Sequence, residues 1–396
     1  MPREDRFDEL GNEEDQVRLR IAGQDISNVY EDYEITVSVL DQPAAFSLTL
    51  GHGGLVRDFI DRFKPGMEFQ LRVGPVVVQT GLIDTPAAHG PVSSVTFRGR
   101  DKMSRLMKNY VTEERAFKNR TYFEMTQDVL RICGLAQEAD ELFSTNDKAR
   151  QQFTGHKVTP TKAPRNSKSI QFDVFENRYR TVYDTVKATL GQSWYQFLEN
   201  QFKLTGLFLW ASGEGQFILS EPNTNQPPGY RILRRRGQTR NQVNVIEHSF
   251  DNDTTHRHGY VRVCGRGQGG KAGVKKIVGR QPDEEMIELG DVSEVTFQDE
   301  HVRTKSEADY VAWRRIAEER RQGWRLSYTM SGHRVPSLIA PHARAVWGPD
   351  TMVDVQDDEL GISGLHWIDT VTFRRKPETS TTVKLLRPRD LLFAGR

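Results

Sequence analysis

From Trp347 onward the chain alternates apolar and polar residues with the two-residue period of half-buried strands. The pairs are Val353 and Val355, then Val371 and Phe373, then Val383 and Leu385, with Pro349, Gly361, Gly364 and Pro377 between them as turns. A period of two sends successive side chains to opposite faces, so these segments need strand neighbours for their backbone groups. The stretch builds sheet, and it carries no nucleophile set, metal cluster or phosphate loop.

The same pattern opens the chain. Val17, Leu19 and Ile21 alternate with polar residues, as do Ile35, Val37 and Val39, and Phe46, Leu48 and Leu50. Further strands are predicted at Phe69 to Val73, at Val76 to Val78 and at Val95 and Phe97, broken by Pro65-Gly66, Gly74-Pro75 and Gly90-Pro91. Residues 16–100 read as one small antiparallel barrel or sandwich, preceded by an acidic tail over 1–15.

After Asp101 the period changes. Met103, Leu106, Met107 and Tyr110 fall on one helical face, and a capping box at Thr121-x-x-Glu124 opens a second helix that ends at Gly134. A third helix is predicted from Thr181-x-x-Asp184 to Gly191, followed by a hairpin around Ser212-Gly213-Glu214-Gly215. Residues 101–240 thus read as an inserted α/β region with a linker over 136–172, and 241–396 as a second barrel carrying a helix at 304–323. That helix opens on the box Thr304-x-x-Glu307 and stripes Ala308, Val311, Ala312 and Ile316 along one face. The fold class is α+β, mainly β: two similar antiparallel β-barrel domains with small α/β insertions.

Composition removes several function classes. Lys plus Arg number 55 against 54 Asp plus Glu, so net charge gives no global attraction to nucleic acid or membrane. No stretch approaches the ~18 apolar residues of a membrane span, and the acidic start is unlike a signal peptide, so synthesis in the cytoplasm is expected. The two cysteines, Cys133 and Cys264, read as small buried residues of a reducing compartment.

The candidate chemistry is thin. Gly265 to Ala272 matches a phosphate loop except at Ala272, where the Mg²⁺-binding hydroxyl is missing, and no helix follows it. His248, His256 and His258 lack a completing ligand for zinc. Asp357-Asp358 and Glu318-Glu319 are neighbours whose side chains diverge, so neither is an acid/base dyad. No cofactor is expected. The interaction candidates are basic: Arg234, Arg235 and Arg236, with Arg231 and Arg240 nearby, and Arg314 and Arg315 on the 304–323 helix beside Arg320 and Arg321. The first run could meet an acidic partner or phosphate, or simply be solvated; the helix arginines read as an exposed or inter-subunit face, offset by Glu318 and Glu319.

Trp347, Pro349, Val353, Val355, Asp357, Asp358, Gly361, Val371, Phe373 and Leu386 to Pro388 resemble the C-terminal domain of baseplate hub proteins in contractile-tailed, Mu-like phages. Phe97 to Asp101, Gly215 to Pro222 and Tyr260 to Gly265 extend the resemblance over nearly the whole chain, and to the T-even hub and the hub part of type VI secretion spikes. The resemblance implies a virion structural protein: a homotrimer whose barrels form a ring between a sixfold tail tube and a threefold membrane-piercing spike. It implies a central channel that DNA crosses transiently, contacts with other baseplate proteins and no stable membrane association. Because the sequence stops at Arg396, soon after its last strand, a separate spike protein and no hydrolase activity are expected. The competing readings are a carbohydrate- or cell-surface-binding β module and a phosphate-binding enzyme using 265–272.

Overall fold

The structure is a computed structural model that describes residues 16–26, 30–51, 61–89, 94–118, 120–142, 185–202, 207–224, 226–237, 245–266, 276–299, 302, 304–335, 346–376 and 378–391. The acidic tail, most of the 136–172 linker, the glycine-rich 267–275 loop and Arg240 lie outside the described residues. Two compact units divide the chain. The first holds Met1–Glu247, Tyr328–Gly364 and Ile368–Lys384; the second holds His248–Ser327, Leu365–Trp367 and Leu385–Arg396.

The first unit begins with β1 (Val17–Ile21), β2 (Gln24–Asp25), β3 (Tyr30–Ser38), β4 (Ala45–Gly51), β5 (Glu68–Val73), β6 (Val76–His89) and β7 (Ser94–Asp101). Burial follows the alternation: Leu19, Ile35, Leu48, Leu71 and Phe97 have no exposed surface, while Arg18, Glu34 and Arg98 on the other face are exposed. Gly99 belongs to the packed face because a Cβ there would sit 2.6 Å from the Phe46 ring and 2.9 Å from Leu82 O.

An insertion follows: α1 (Met103–Lys108), β8 (Arg115–Lys118), α2 (Tyr122–Ile132), α3 (Ala136–Asp140), β9 (Thr185–Ala188), α4 (Trp194–Phe202), β10 (Phe208–Ala211) and β11 (Phe217–Ser220). The Thr121 box forms as expected, Glu124 N–H donating to Thr121 Oγ1 at 3.1 Å and Thr121 N–H to Glu124 Oε2 at 3.0 Å. Gly134 ends the helix at φ +76°. These elements enclose their own core, with Phe117 stacked on Phe197 at 5.4 Å. The helix predicted at 181–191 is corrected: Thr185–Ala188 is strand β9, antiparallel to β8, and the next helix starts at Trp194. Val186 and Ala188 are buried while Thr185 and Lys187 are exposed, a period of two over four residues that is too short to outweigh a cap-like Thr-x-x-Asp in sequence.

The chain continues through β12 (Tyr230–Arg234) and β13 (Val245–Asn252), and the second unit adds β14 (Tyr260–Arg266), β15 (Lys276–Pro282), α5 (Glu284–Glu288), β16 (Glu294–Asp299) and α6 (Lys305–Gly323). β14 lies between β15 and β16, antiparallel to the first and parallel to the second. The expected stripe of α6 packs on this sheet, with Ala308 and Ala312 fully buried. A Cβ on Gly279 would lie 2.2 Å from the Ala308 backbone, so glycine sets how closely helix and sheet approach.

Four strands finish the chain: β17 (Trp324–Ser331), β18 (Thr351–Asp357), β19 (Ile362–Arg375) and β20 (Thr379–Leu386). Val353, Val355, Val371, Phe373 and Val383 are fully buried, as their alternation predicts. The expectation of two β-barrels is corrected here. The strand order in this sheet runs β17-β20-β19-β3-β4-β7-β6-β5-β1-β2, with β18 joining β19 to β12, and among the described residues no pairing closes it. What were read as separate barrels share one sheet, because β19 pairs β3 antiparallel with Phe373 opposite Ile35. Alternation says which face a strand buries and leaves its partner open. The result is a mainly β protein built on large, open, chiefly antiparallel sheets.

Candidate functional site: a charged groove on the large sheet

The solvent face of β3, β4, β7 and β6 forms an open groove of about 610 Å³. Strand register builds it. Arg374, Glu34, Ser47, Arg98 and Thr85 are successive cross-strand neighbours on β19, β3, β4, β7 and β6. Small hydroxyl residues floor the trough, and several are already paired: Thr49 with Thr96 at 3.0 Å and Thr36 with Thr372 at 3.3 Å.

Its carboxylates are paired with cations at both sides. On one side Glu34 meets Arg374 at 3.1 Å and Asp32 meets Lys376 at 3.4 Å, both exposed pairs of small energetic weight. On the other, Asp84 accepts from Arg100 Nε at 2.6 Å and Nη2 at 3.0 Å, and from Lys108 Nζ at 2.6 Å. Burial opposes charge on Asp84, but the hydrogen bonds from Arg100 and Lys108 outweigh it and hold the carboxyl below its ordinary range. Arg98, exposed in the middle, makes no ion pair among the described residues. A trough of this kind can accept and donate hydrogen bonds and match charge.

The arginines singled out in sequence divide. β12 runs parallel to β18, which sets the 231–236 run against an acidic strand. Arg231 pairs with Asp354 at 3.1 Å, Arg234 with Asp357 at 3.4 Å and with Glu359, Arg235 with Gln356, and Arg236 N–H with Asp358 at 3.4 Å. Arg315 pairs with Glu318 at 3.3 Å and lies 4.9 Å over the Phe297 ring; Arg314 is half-buried on α6, and that burial disfavours its charged form.

Asp357 and Asp358 take separate roles. Asp357 is buried, accepting from Tyr328 O–H at 2.9 Å and from the Glu359 and Leu360 N–H groups at 2.9 and 3.0 Å, while Asp358 is exposed. This explains the Asp-Asp-x-x-Gly spacing: the first carboxylate nucleates a turn that Gly361 completes at φ +66°. Glu318 and Glu319 diverge likewise, Glu319 accepting from the His258 N–H at 3.1 Å. His256 lies in a turn and His258 just after it, and among the described residues no group of three His, Cys, Asp or Glu could hold a metal ion.

Sequence reasoning missed a buried ionic cluster in the second unit. Arg257 donates to Asp283 at 2.8 Å and Glu285 at 2.7 Å, Arg320 reaches Asp283 at 2.7 Å, and Arg387 bridges Glu285 at 3.1 Å to Asp390 at 2.7 Å. Arg257 and Asp283 expose only 3% and 1% of their side chains, and burial of a charge requires such pairing. Its members come from four distant segments, so only the many Arg and Asp/Glu residues hinted at it.

No family model matches the sequence, and no curated protein matches it. Solved structures do share the fold. The 43 kDa tail protein of prophage MuSo2 from Shewanella oneidensis superposes with a TM-score of 0.71 at 17% identity, over 95% of this chain and 99% of that one. The tail protein from Neisseria meningitidis MC58 gives 0.69 at 17%, over 93% and 95%. An Escherichia coli component of the type VI secretion system, similar in structure to bacteriophage T4 tail proteins gp27 and gp5, gives 0.50 at 10%, over 95% and 79%. The fold is thus that of phage tail proteins and of their secretion-system counterparts.

Proposed function

We propose that this chain is the structural baseplate hub of a contractile phage tail or of a phage-derived injection particle, working by binding and not by catalysis. Three copies form a ring that joins the sixfold tail tube to a threefold spike, contacts other baseplate proteins and leaves a channel through which DNA passes. The protein is on this reading a virion component without cofactor. The observation that supports it most is the extent of the fold likeness, which takes in 95% of this chain and 99% of the Shewanella tail protein. Among the described residues no helix is long and apolar enough to cross a membrane.

The groove is the surface we assign to subunit contact. A ring joins different faces of neighbouring copies, so each contact needs complementary charge. The groove carries charge of both signs, with Glu34 and Asp32 on one strand in exposed pairs with Arg374 and Lys376, and Arg98, without an ion pair among the described residues, two strands away. Arg314 and Arg315 on α6, and Arg234 to Arg236 where they remain exposed, are secondary candidates for acidic surfaces of the tube or spike.

Light scattering across a dilution series tests the assembly. A stable species near three times 45.4 kDa is expected. A monomer at every concentration, with and without a spike protein, would return the chain to the binding-module reading. Arg98→Glu should leave the monomer's stability within about 0.5 kcal/mol, as exposed substitutions do, while weakening the trimer.

A further inference from the structure

We propose that the edge of β16, with the turn that leads into it, is a docking site for an extended segment of a partner protein in which apolar residues alternate with lysine or arginine. It lies wholly in the second unit and does not depend on the ring.

Backbone geometry carries the first part of the argument. β16 pairs with β14 on one side, and among the described residues no strand pairs with its other side. Tyr260 N–H donates to Ser293 O at 2.9 Å, which fixes the phase of the parallel ladder. In that phase the N–H and C=O groups of Glu294, Thr296 and Gln298 point away from β14. Proteins usually blunt such an edge with proline, lysine or a bulge. β16 reads Glu-Val-Thr-Phe-Gln-Asp, with an unbroken register along β14, no proline, lysine or bulge, and charged residues only at its two ends, Glu294 and Asp299. An edge left open in this way fits strand addition.

The turn supplies apolar anchorage. Leu289 and Val292 are 72% and 75% exposed, and they are held in place, not frayed. Asp291 N–H donates to Met286 O at 2.9 Å and Gly290 N–H to Ile287 O at 2.9 Å, the paired bonds of a Schellman cap, with Gly290 at φ +86°. Asp291 Oδ1 accepts from Ser293 N–H at 2.7 Å and locks the exit. Two exposed apolar side chains on a capped turn thus stand directly before the open edge in the chain.

Charge identifies the occupant. Glu284 and Glu288 are exposed on the helix that ends at Leu289, and Asp291 lies between Leu289 and Val292 in the chain; hydrogen bonds from Ser293 hold the Asp291 carboxyl below its ordinary range. Exposed carboxylates flanking the two apolar residues in the chain favour a strand with basic residues and disfavour an acidic one.

Hydrogen exchange on the full chain tests this with two synthetic peptides, one alternating valine with lysine and one alternating valine with glutamate. The lysine peptide should slow exchange at the amides of Glu294, Thr296 and Gln298 by about tenfold, as one hydrogen bond of ordinary net strength gives. The glutamate peptide should not. Leu289→Asp with Val292→Asp, both exposed, should remove the protection while the other amides of the second unit exchange as before. Thr296→Pro, which deletes an outward N–H, is the independent check should the double variant misfold. Equal protection by both peptides, protection by neither, or protection that survives both variants would overturn the proposal. So would β16 amides already protected in the isolated chain, or binding to phosphatidylcholine vesicles through the same two apolar residues.

Discussion

Phe373 and Ile35 face each other across the antiparallel pair of β19 and β3, and neither exposes any surface. This contact joins the beginning of the chain to its end. It makes the first seven strands and the last four parts of one sheet, so the two ends should not unfold separately.

Removing the larger side chain tests that coupling. Phe373→Ala should cost about 3–5 kcal/mol, the transfer and cavity cost of a buried aromatic. Denaturant unfolding, followed by a probe in β1 and another in β20, should show the loss in both. A loss confined to β20 would contradict the shared sheet.

Asp357 organises a turn, an ion pair with Arg234 and the Tyr328 hydroxyl at once. Asp357→Ala should cost about 3–5 kcal/mol because it strands the partners of a buried carboxylate. Tyr328→Phe removes one charge-assisted hydrogen bond and should cost about 1.5–3 kcal/mol. Thermal unfolding of the two variants ranks these effects.

His333 makes stability depend on pH. Its Nδ1 is 2.9 Å from Thr381 Oγ1, whose hydroxyl donates to Gly332 O at 2.8 Å, so Nδ1 carries a proton and Nε2 accepts from Tyr33 O–H at 2.8 Å. Burial pushes the imidazole pKa down to about 4. The unfolded chain therefore binds a proton first as pH falls. The stabilisation is full above pH ~6.5 and is lost toward the folded value, a difference of roughly 3 kcal/mol. Unfolding between pH 7 and 4.5 should show this slope, and His333→Gln should flatten it.

The cluster around Arg257 is a separate case. Burial opposes charge on Asp283, yet hydrogen bonds from Arg320 and Arg257 keep the carboxyl below its ordinary range, so its stabilisation persists above the unfolded value and fails only in acid. Arg257→Met should cost about 3–5 kcal/mol by leaving Asp283 and Glu285 short of a buried partner. Replacing Asp283 with Asn in the same chain should recover part of that loss, measured by a double-mutant cycle.

Much of the fold was legible residue by residue. The alternation at Val353 and Val355 gave buried strand positions, and the boxes at Thr121 and Thr304 gave helix starts, because periodicity and capping are local. The groove was not legible. Glu34, Ser47 and Arg98 read as ordinary outward strand residues until pairing put them side by side. The arginines of β12 read as free charge until β18 brought Asp354 and Asp357 opposite them.

The sequence by itself determined which residues of the alternating strands face inward and, through the boxes at Thr121 and Thr304, where two helices begin. Tertiary structure alone decided that the end strands share a sheet, that the expected barrels stay open, and where cation meets carboxylate. The reason is physical: burial pattern depends on a residue and its near neighbours, whereas strand pairing and ion pairing join segments far apart in the chain, and many pairings satisfy the same pattern.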